Sequence, residues 1–163
     1  KIFGELLMLI EADYRDKKAT LAYNGLSFSV PKRLHIIGMM NTADRSLAML
    51  DYALRRRFAF FEIKPGFETD GFREYRMAID NEKFNKLINC VENLNNAITA
   101  DESLGDGFCI GHSYFCNLSA DAIHEQTLSG IVEYELIPLL KEYWFDEPLK
   151  VKDWSNNLRS AIK

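Results

Sequence analysis

Residues 34–44 read Leu34-His35-Ile36-Ile37-Gly38-Met39-Met40-Asn41-Thr42-Ala43-Asp44, an apolar run that ends abruptly in polar turn residues. A short apolar run between turn residues is typical of a strand buried in a parallel sheet. Such a strand delivers the side chain that follows it, here Asn41, to the carboxyl edge of the sheet, where α/β proteins bind their ligands. An amide at that edge can donate to a phosphate oxygen and accept from an attacking water. The segment therefore predicts an α/β fold with Asn41 in a ligand site.

The elements around this run complete half of an α/β sandwich. Apolar residues at helical spacing predict a first helix that ends near Ala12. Alternation on both sides of Asn24-Gly25 predicts a hairpin, because Asn and Gly tolerate the positive φ of a tight turn. Leucines at 47, 50 and 54 predict a helix after Asn41, and the apolar run at 58–63 predicts a further strand.

The second part of the chain has the periodicity of helices. Residues 84–98 predict a long amphipathic helix, and residues 128–140 predict another that is kinked or broken at Pro138. Apolar residues spaced over 154–162 predict a short last helix. We therefore expect a small all-α domain in this part of the chain.

The balance of basic and acidic residues also differs between the two parts of the chain. Residues 1–67 carry 11 basic and 7 acidic side chains, whereas residues 68–163 carry 9 and 17. Pro65-Gly66 follows the last predicted strand, and this dipeptide is typical of a connection between elements. We therefore predict two domains, an incomplete α/β domain at 1–66 and a helical domain at 67–163.

Composition excludes several classes of function. A net charge of -4 excludes a uniformly basic nucleic-acid coat, and no apolar run approaches the ~20 residues that cross a bilayer. The three cysteines include no C-x-x-C pair, which argues against a zinc site or a disulfide framework and favours buried thiols in a reducing cytoplasm. The chain has no Gly-Lys dipeptide, so it has no phosphate-binding P-loop. The helical spacing that starts at Lys1 indicates a piece of a longer protein.

Three patterns are candidates for chemistry. Residues 111–115 begin like the nucleophile elbow of a serine hydrolase but have Phe115 in place of its second Gly. Glu62-Ile63-Lys64, with Asp51 upstream, matches part of a metal-dependent nuclease site, although this spacing is common by chance. Arg55-Arg56-Arg57 cannot all be buried without partners, so at least one guanidinium points outward, and a guanidinium matches the geometry of a phosphate. Spacing alone leaves open that the arginines pair with surface carboxylates and that the asparagine only starts a turn.

Three longer stretches resemble a known family, the AAA+ NTPase of McrB-type restriction proteins. Those proteins are the GTP-dependent subunits of systems that cut DNA containing modified cytosine. The stretches are Ile36-Ile37-Gly38-Met39-Met40-Asn41-Thr42-Ala43-Asp44-Arg45-Ser46, Ala53-Leu54-Arg55-Arg56-Arg57-Phe58 and Ile110-Gly111-His112-Ser113-Tyr114-Phe115. Residues 1–11 are also similar to the helix that follows the family's Walker B strand. The resemblance implies the C-terminal half of a P-loop AAA+ α/β domain, with an incomplete parallel sheet plus a hairpin, followed by a small helical lid.

The resemblance also implies roles for individual residues. Asn41 aligns with sensor 1, which positions the hydrolytic water or the γ-phosphate. Asp44 and Arg45 belong to the family's signature loop at the active site. Arg56-Arg57 align with arginine fingers that reach the nucleotide of a neighbouring subunit. His112-Ser113 lie in the lid segment that is expected to contact the nucleotide. No metal ligand is assigned within the chain.

The same resemblance implies cofactors and partners. The full-length protein is expected to use GTP or ATP with Mg²⁺, to form a homo-oligomeric ring that is usually a hexamer, and to act with a separate nuclease subunit. Modified DNA would be read by an N-terminal domain, and the Walker A and B motifs would precede Lys1. The 163 residues alone are expected to be inactive and to hold no nucleotide. Two alternatives are an AAA+ ATPase with another remodelling function and a catalytically dead AAA+-derived scaffold.

Overall fold

The computed structural model of the chain describes residues 4–41 and 55–163. The chain divides into two compact units, Lys1–Glu62 and Ile63–Lys163. The division lies four residues before the junction predicted at 66. Each unit is described by itself below.

The first unit contains a short helix and a hairpin. Helix α1 spans Gly4–Leu9 and is followed by a 3-10 turn at Ala12–Tyr14. Strand β1 (Ala19–Thr20) pairs antiparallel with β2 (Ser27–Phe28), with Ala19 opposite Phe28. The predicted helix and hairpin are therefore confirmed, although both strands are shorter than the alternation suggests.

The turn of the hairpin uses the residues that the sequence indicates. Gly25 has a φ of +68°, and its N–H donates to the Leu21 carbonyl at 2.8 Å. The Asn24 Oδ1 accepts from the Leu26 N–H at 3.0 Å, and Leu21 and Leu26 also pair through their backbones. The connection is therefore a four-residue loop rather than a two-residue turn.

Neither strand predicted for a parallel sheet is formed. Residues 34–40 and 58–63 have no regular secondary structure, so these two predictions are wrong for this chain. Ile37 is 92% exposed and Met39 is 98% exposed, although both are large apolar residues. A strand exists only where a neighbour accepts its backbone hydrogen bonds, and the sheet of the described residues contains only β1 and β2. The incomplete parallel sheet is therefore absent from the described part of the chain.

Several of the earlier expectations fall on residues that the structure does not describe. They are Asp44, Arg45, Asp51 and the helix with leucines at 47, 50 and 54.

The second unit is helical. Its helices are α2 (Asp70–Ile79), α3 (Glu82–Ala100), α4 (Glu125–Ile131), α5 (Ile137–Tyr143) and α6 (Pro148–Ala161). A π-helical turn, Val132–Leu136, joins α4 to α5. Three 3-10 turns occupy Asp106–Phe108, His112–Phe115 and Ala120–Ala122.

Helix α3 forms the centre of this unit. Its apolar stripe is fully buried and comprises Phe84, Leu87, Ile88, Val91, Leu94 and Ile98. The stripe packs with Trp144 and with Leu158 of α6 in one continuous core. The spacing of three and four residues thus predicted both the helix and its buried face correctly.

The interruption predicted at Pro138 is confirmed, and it lies in the turn before the proline. Proline has no N–H to donate to the carbonyl four residues earlier. The preceding Ile137 donates instead to the carbonyl of Val132, five residues back, which is a π-helical bond. The chain can therefore continue through Pro138 into α5.

Candidate functional site

Two of the three consecutive arginines line a cleft in the first unit. The cleft has a volume of about 780 Å³, and Arg56 and Arg57 lie in its wall together with Arg15, Lys32 and His35. Among the residues that the structure describes, two carboxylates, from Glu11 and Asp13, line it with them. The excess of cationic groups makes the cleft suitable for an anion such as a phosphate.

Arg57 and Arg56 differ in their surroundings. Arg57 forms an ion pair with Glu11, and only 18% of its side chain is exposed. Arg56 is exposed. Pairing with a carboxylate of its own chain, which the spacing left open, therefore describes Arg57. The side chain of Arg56 is accessible to another molecule.

Arg15 connects the segments around the cleft through hydrogen bonds. Its Nε donates to the Ile10 carbonyl at 2.9 Å, and its Nη1 donates to the carbonyls of Pro31 and Leu34 at 3.3 and 3.2 Å. These bonds connect the end of α1 with the chain that leaves the hairpin. These hydrogen bonds therefore fix the start of the segment 34–41, although the segment does not form a strand.

Asn41 ends that segment and is exposed. Its side chain is therefore not enclosed by core residues. Asp44 and Arg45, the other two residues of the expected signature loop, lie outside the described residues.

His112 and Ser113 lie in the second unit, on the 3-10 turn that follows Gly111. Ser113 is exposed, whereas His112 is partly buried. The Gly66 N–H donates to Nδ1 of His112 at 2.9 Å. The resemblance implies a nucleotide contact for this segment, but Nδ1 of His112 already accepts a hydrogen bond from the backbone.

Two polar side chains hold the segment that carries this turn. The Asn95 amide of α3 pairs with Ile110 in both directions: Nδ2 donates to its carbonyl at 2.9 Å, and Oδ1 accepts from its N–H at 2.7 Å. The Tyr75 hydroxyl of α2 accepts from the Leu118 N–H at 2.9 Å and lies 2.9 Å from the carbonyls of Phe115 and Leu118. Burial raises the pKa of Tyr75. The turn is therefore pre-organised from both ends.

The nuclease-like pattern gains no support from the described residues. Glu62 and Lys64 are both exposed. In residues 4–41 and 55–163, no group of three or more His, Cys, Asp or Glu side chains could hold a metal ion. Within the same ranges, no helix is long and apolar enough to cross a bilayer.

Sequence reasoning missed Glu11, Arg15 and Gly66. Glu11 and Arg57 are 46 residues apart, and so are Gly66 and His112. No local spacing connects residues at that separation. Gly66 was singled out only as part of a predicted domain junction, which gave no indication of its contact with His112.

Comparison with known proteins identifies the helical unit and relates the chain to a family. Residues 86–152 match the family model of the McrB α-helical lid domain. The chain is also 45% identical over 168 residues to the type IV methyl-directed restriction enzyme EcoKMcrB subunit of Escherichia coli K12, and the match covers 97% of the chain. The chain is of the McrB type. The resemblance noted from its motifs is thereby confirmed.

This McrB-type chain spans 37% of the length of the Escherichia coli subunit. The match to the lid family confirms the helical lid that was expected in the second part of the chain. The AAA+ identity of the first unit is implied by the relationship to McrB rather than by its own sheet. The match includes the residues of the cleft, because only 3% of the chain lies outside it.

Proposed function

We propose that this chain is part of a GTP-hydrolysing AAA+ motor subunit in a restriction system that acts on DNA with modified cytosine. The full-length subunit would bind GTP with Mg²⁺, assemble into a homo-oligomeric ring and act with a separate nuclease subunit. The observation that carries the proposal is the exposed Arg56 at a cationic cleft in a chain of the McrB type.

The proposed chemistry divides between neighbouring subunits. Asn41 acts as sensor 1 and orients the attacking water, and Asp44 and Arg45 belong to the same active-site loop. Arg56 and Arg57 reach the γ-phosphate bound by the next subunit. Phosphoryl transfer is catalysed mainly by positioning and by stabilising charge, and an arginine supplied in trans is worth ~10³–10⁵ in rate.

Glu11 gives the two arginines different tasks before assembly. Its ion pair with Arg57 holds that guanidinium at the wall of the cleft. An arginine that is already ordered loses less side-chain entropy when it meets a phosphate. Because Arg56 is the more exposed of the two, we propose that it makes the first contact with the neighbouring nucleotide and that the ordered Arg57 follows. In the lid, the exposed Ser113 is the residue that we propose to touch the nucleotide.

The decisive experiment separates binding from hydrolysis in the full-length protein. Asn41→Ala and Arg56→Ala should leave the Kd for a fluorescent GTP analogue within about twofold, whereas kcat should fall about a thousandfold. Arg33→Ala, which removes an exposed arginine outside the cleft lining, is the matched control and should change neither. A parallel loss of binding and hydrolysis would mean that the residue supports structure rather than catalysis.

A mixing experiment tests the action in trans. Arg56→Ala subunits have an intact phosphate loop, and subunits with a defective phosphate loop have an intact Arg56. Mixed rings contain some interfaces with both, so turnover should return although each variant alone is inactive. An absence of recovery in rings shown to contain both variants would contradict the proposed finger.

A further inference from the structure

Gly66 is tied to the lid through both of its backbone polar groups. Its N–H donates to Nδ1 of His112 at 2.9 Å. Its carbonyl accepts from the Thr69 hydroxyl at 2.7 Å and from the Thr69 N–H at 3.2 Å. Thr69 in turn caps the N-terminus of α2. The direction in which the chain enters the lid is therefore fixed. Thr69 is close to Gly66 in the sequence, whereas His112 belongs to a turn 46 residues further along the chain.

The contact leaves no space for a larger residue. A Cβ at Gly66 would lie 2.9 Å from Cε1 of His112, closer than such carbons approach in folded proteins. The imidazole is also confined by two aromatic rings, since Phe67 and Phe72 meet it edge-on at centroid distances of 6.2 and 5.7 Å. The ring is thus positioned against Gly66 by packing as well as by the hydrogen bond.

The geometry points to His112 as a positioning residue that fixes the entry of the chain into the lid through its Nδ1. The next residue along the turn is Ser113, the lid residue proposed above to contact the nucleotide. A displacement of this turn therefore acts directly on the segment that joins the lid to the first unit. This transmission to hydrolysis rests on the proposed function, whereas the hydrogen bond itself does not.

Two substitutions at His112 separate the role of Nδ1 from that of Nε2. Asparagine places its Oδ1 at the same number of bonds from Cα as Nδ1, so His112→Asn retains an acceptor for Gly66. Glutamine places its Oε1 near the position of Nε2, so His112→Gln retains a group that could face a nucleotide but not the acceptor for Gly66. His112→Ala removes both.

Gly66→Ala tests the same contact from its other side. The added Cβ displaces the imidazole without altering any residue proposed to touch the nucleotide. Gly71→Ala is the matched control, because a Cβ at Gly71 meets no atom within 4 Å.

The first measurement is amide hydrogen exchange of the segment containing Gly66 in the full-length protein. We expect exchange about tenfold faster in His112→Ala, His112→Gln and Gly66→Ala, because the N–H loses its acceptor. Exchange should remain near the native rate in His112→Asn and Gly71→Ala. Exchange at the native rate in Gly66→Ala and His112→Ala would overturn the assignment. Protection that is retained in His112→Gln and lost in His112→Asn would overturn it too. Both outcomes are independent of the proposed hydrolysis.

The second measurement is GTP hydrolysis with the same five variants. We expect kcat about tenfold lower wherever exchange is faster, with the Kd for GTP unchanged, and near-native kcat in His112→Asn. A weaker Kd in His112→Ala that glutamine restores would overturn the proposal, since it assigns His112 to the nucleotide. Faster exchange together with native kcat would overturn the link to hydrolysis.

Discussion

Asp101 holds the end of α3 to the helices that follow it. Its Oδ2 accepts from Nε1 of Trp144 at 2.8 Å and from Nζ of Lys150 at 2.5 Å. Its Oδ1 accepts from the N–H and the hydroxyl of Ser103 at 2.9 and 2.6 Å. These donors, with Lys150 contributing most, hold the pKa of Asp101 well below its ordinary value of 3.8.

The lowered pKa predicts how the stability of the lid depends on pH. A carboxyl that is more acidic in the folded state stabilises the fold above its unfolded pKa, and this contribution is lost as pH falls through 3.8 toward the folded value. Asp101→Asn should therefore cost about 2 kcal/mol at pH 7 and less at pH 3. Urea unfolding at both pH values measures the difference. Asp153→Asn, which removes an exposed carboxylate of α6, is the control, and an equal loss in both variants would contradict the prediction.

Asp80 occupies a backbone conformation that glycine adopts more easily. It caps the C-terminus of α2 with a φ of +45° and a ψ of +47°, in the left-handed region, and its N–H donates to the Arg76 carbonyl. Asp80→Gly should raise the free energy of unfolding by about 0.5–1 kcal/mol, and Asp80→Ala should not. Thermal unfolding of the two variants measures this. A lower melting temperature for Asp80→Gly than for the native protein would show that the aspartate side chain outweighs the backbone strain.

The helices of this chain were predicted better than its strands, because a helix and a strand take their backbone hydrogen bonds from different parts of the chain. An α-helix satisfies its backbone internally, so the apolar spacing at 84–98 was sufficient to predict α3. The runs at 34–40 and 58–63 also had the composition of strands, but a strand takes its partners from elsewhere. Helix α2 was not predicted at all, since only Phe72 and Ile79 are buried along its ten residues.

The buried stripe of α3 makes a prediction for the helical unit. Leu94 is 0% exposed, so Leu94→Ala should destabilise the lid by about 2–5 kcal/mol through lost burial and the cavity left behind. Leu149 is 74% exposed, and Leu149→Ala should change stability by less than about 0.5 kcal/mol. Chemical unfolding monitored at Trp144 and Trp154 measures both. Comparable losses would mean that Leu149 is covered in the folded protein.

At the scale of the whole molecule, the exposed apolar side chains of the described residues are concentrated in the first unit. Within the ranges 4–41 and 55–62, the large apolar side chains that are at least 89% exposed are Tyr23, Ile37, Met39 and Phe61. Extended segments of this kind offer unpaired backbone groups to other chains. The 163 residues alone should therefore self-associate as their concentration rises, as measured by sedimentation velocity. A single monomeric species across the accessible range would contradict this.

The isolated chain should also lack nucleotide hydrolysis. It contains no Gly-Lys dipeptide, so it has no P-loop to hold the β- and γ-phosphates. Phosphate release from GTP and from ATP with Mg²⁺ should equal that of buffer, while the full-length protein is the positive control. Turnover by a preparation of the 163 residues that is free of contaminating NTPase would contradict this prediction.

Local patterns in the chain were enough to establish the McrB-type resemblance, the hairpin around Asn24-Gly25 and the long helix of the lid. These features depend on neighbours within a few residues, where propensity and spacing act directly. The ion pair of Arg57 with Glu11 and the bond from Gly66 to His112 required folding, because each joins residues 46 positions apart. The absence of the predicted parallel strands from the described residues has the same physical origin, because a strand forms only where another segment pairs with its backbone.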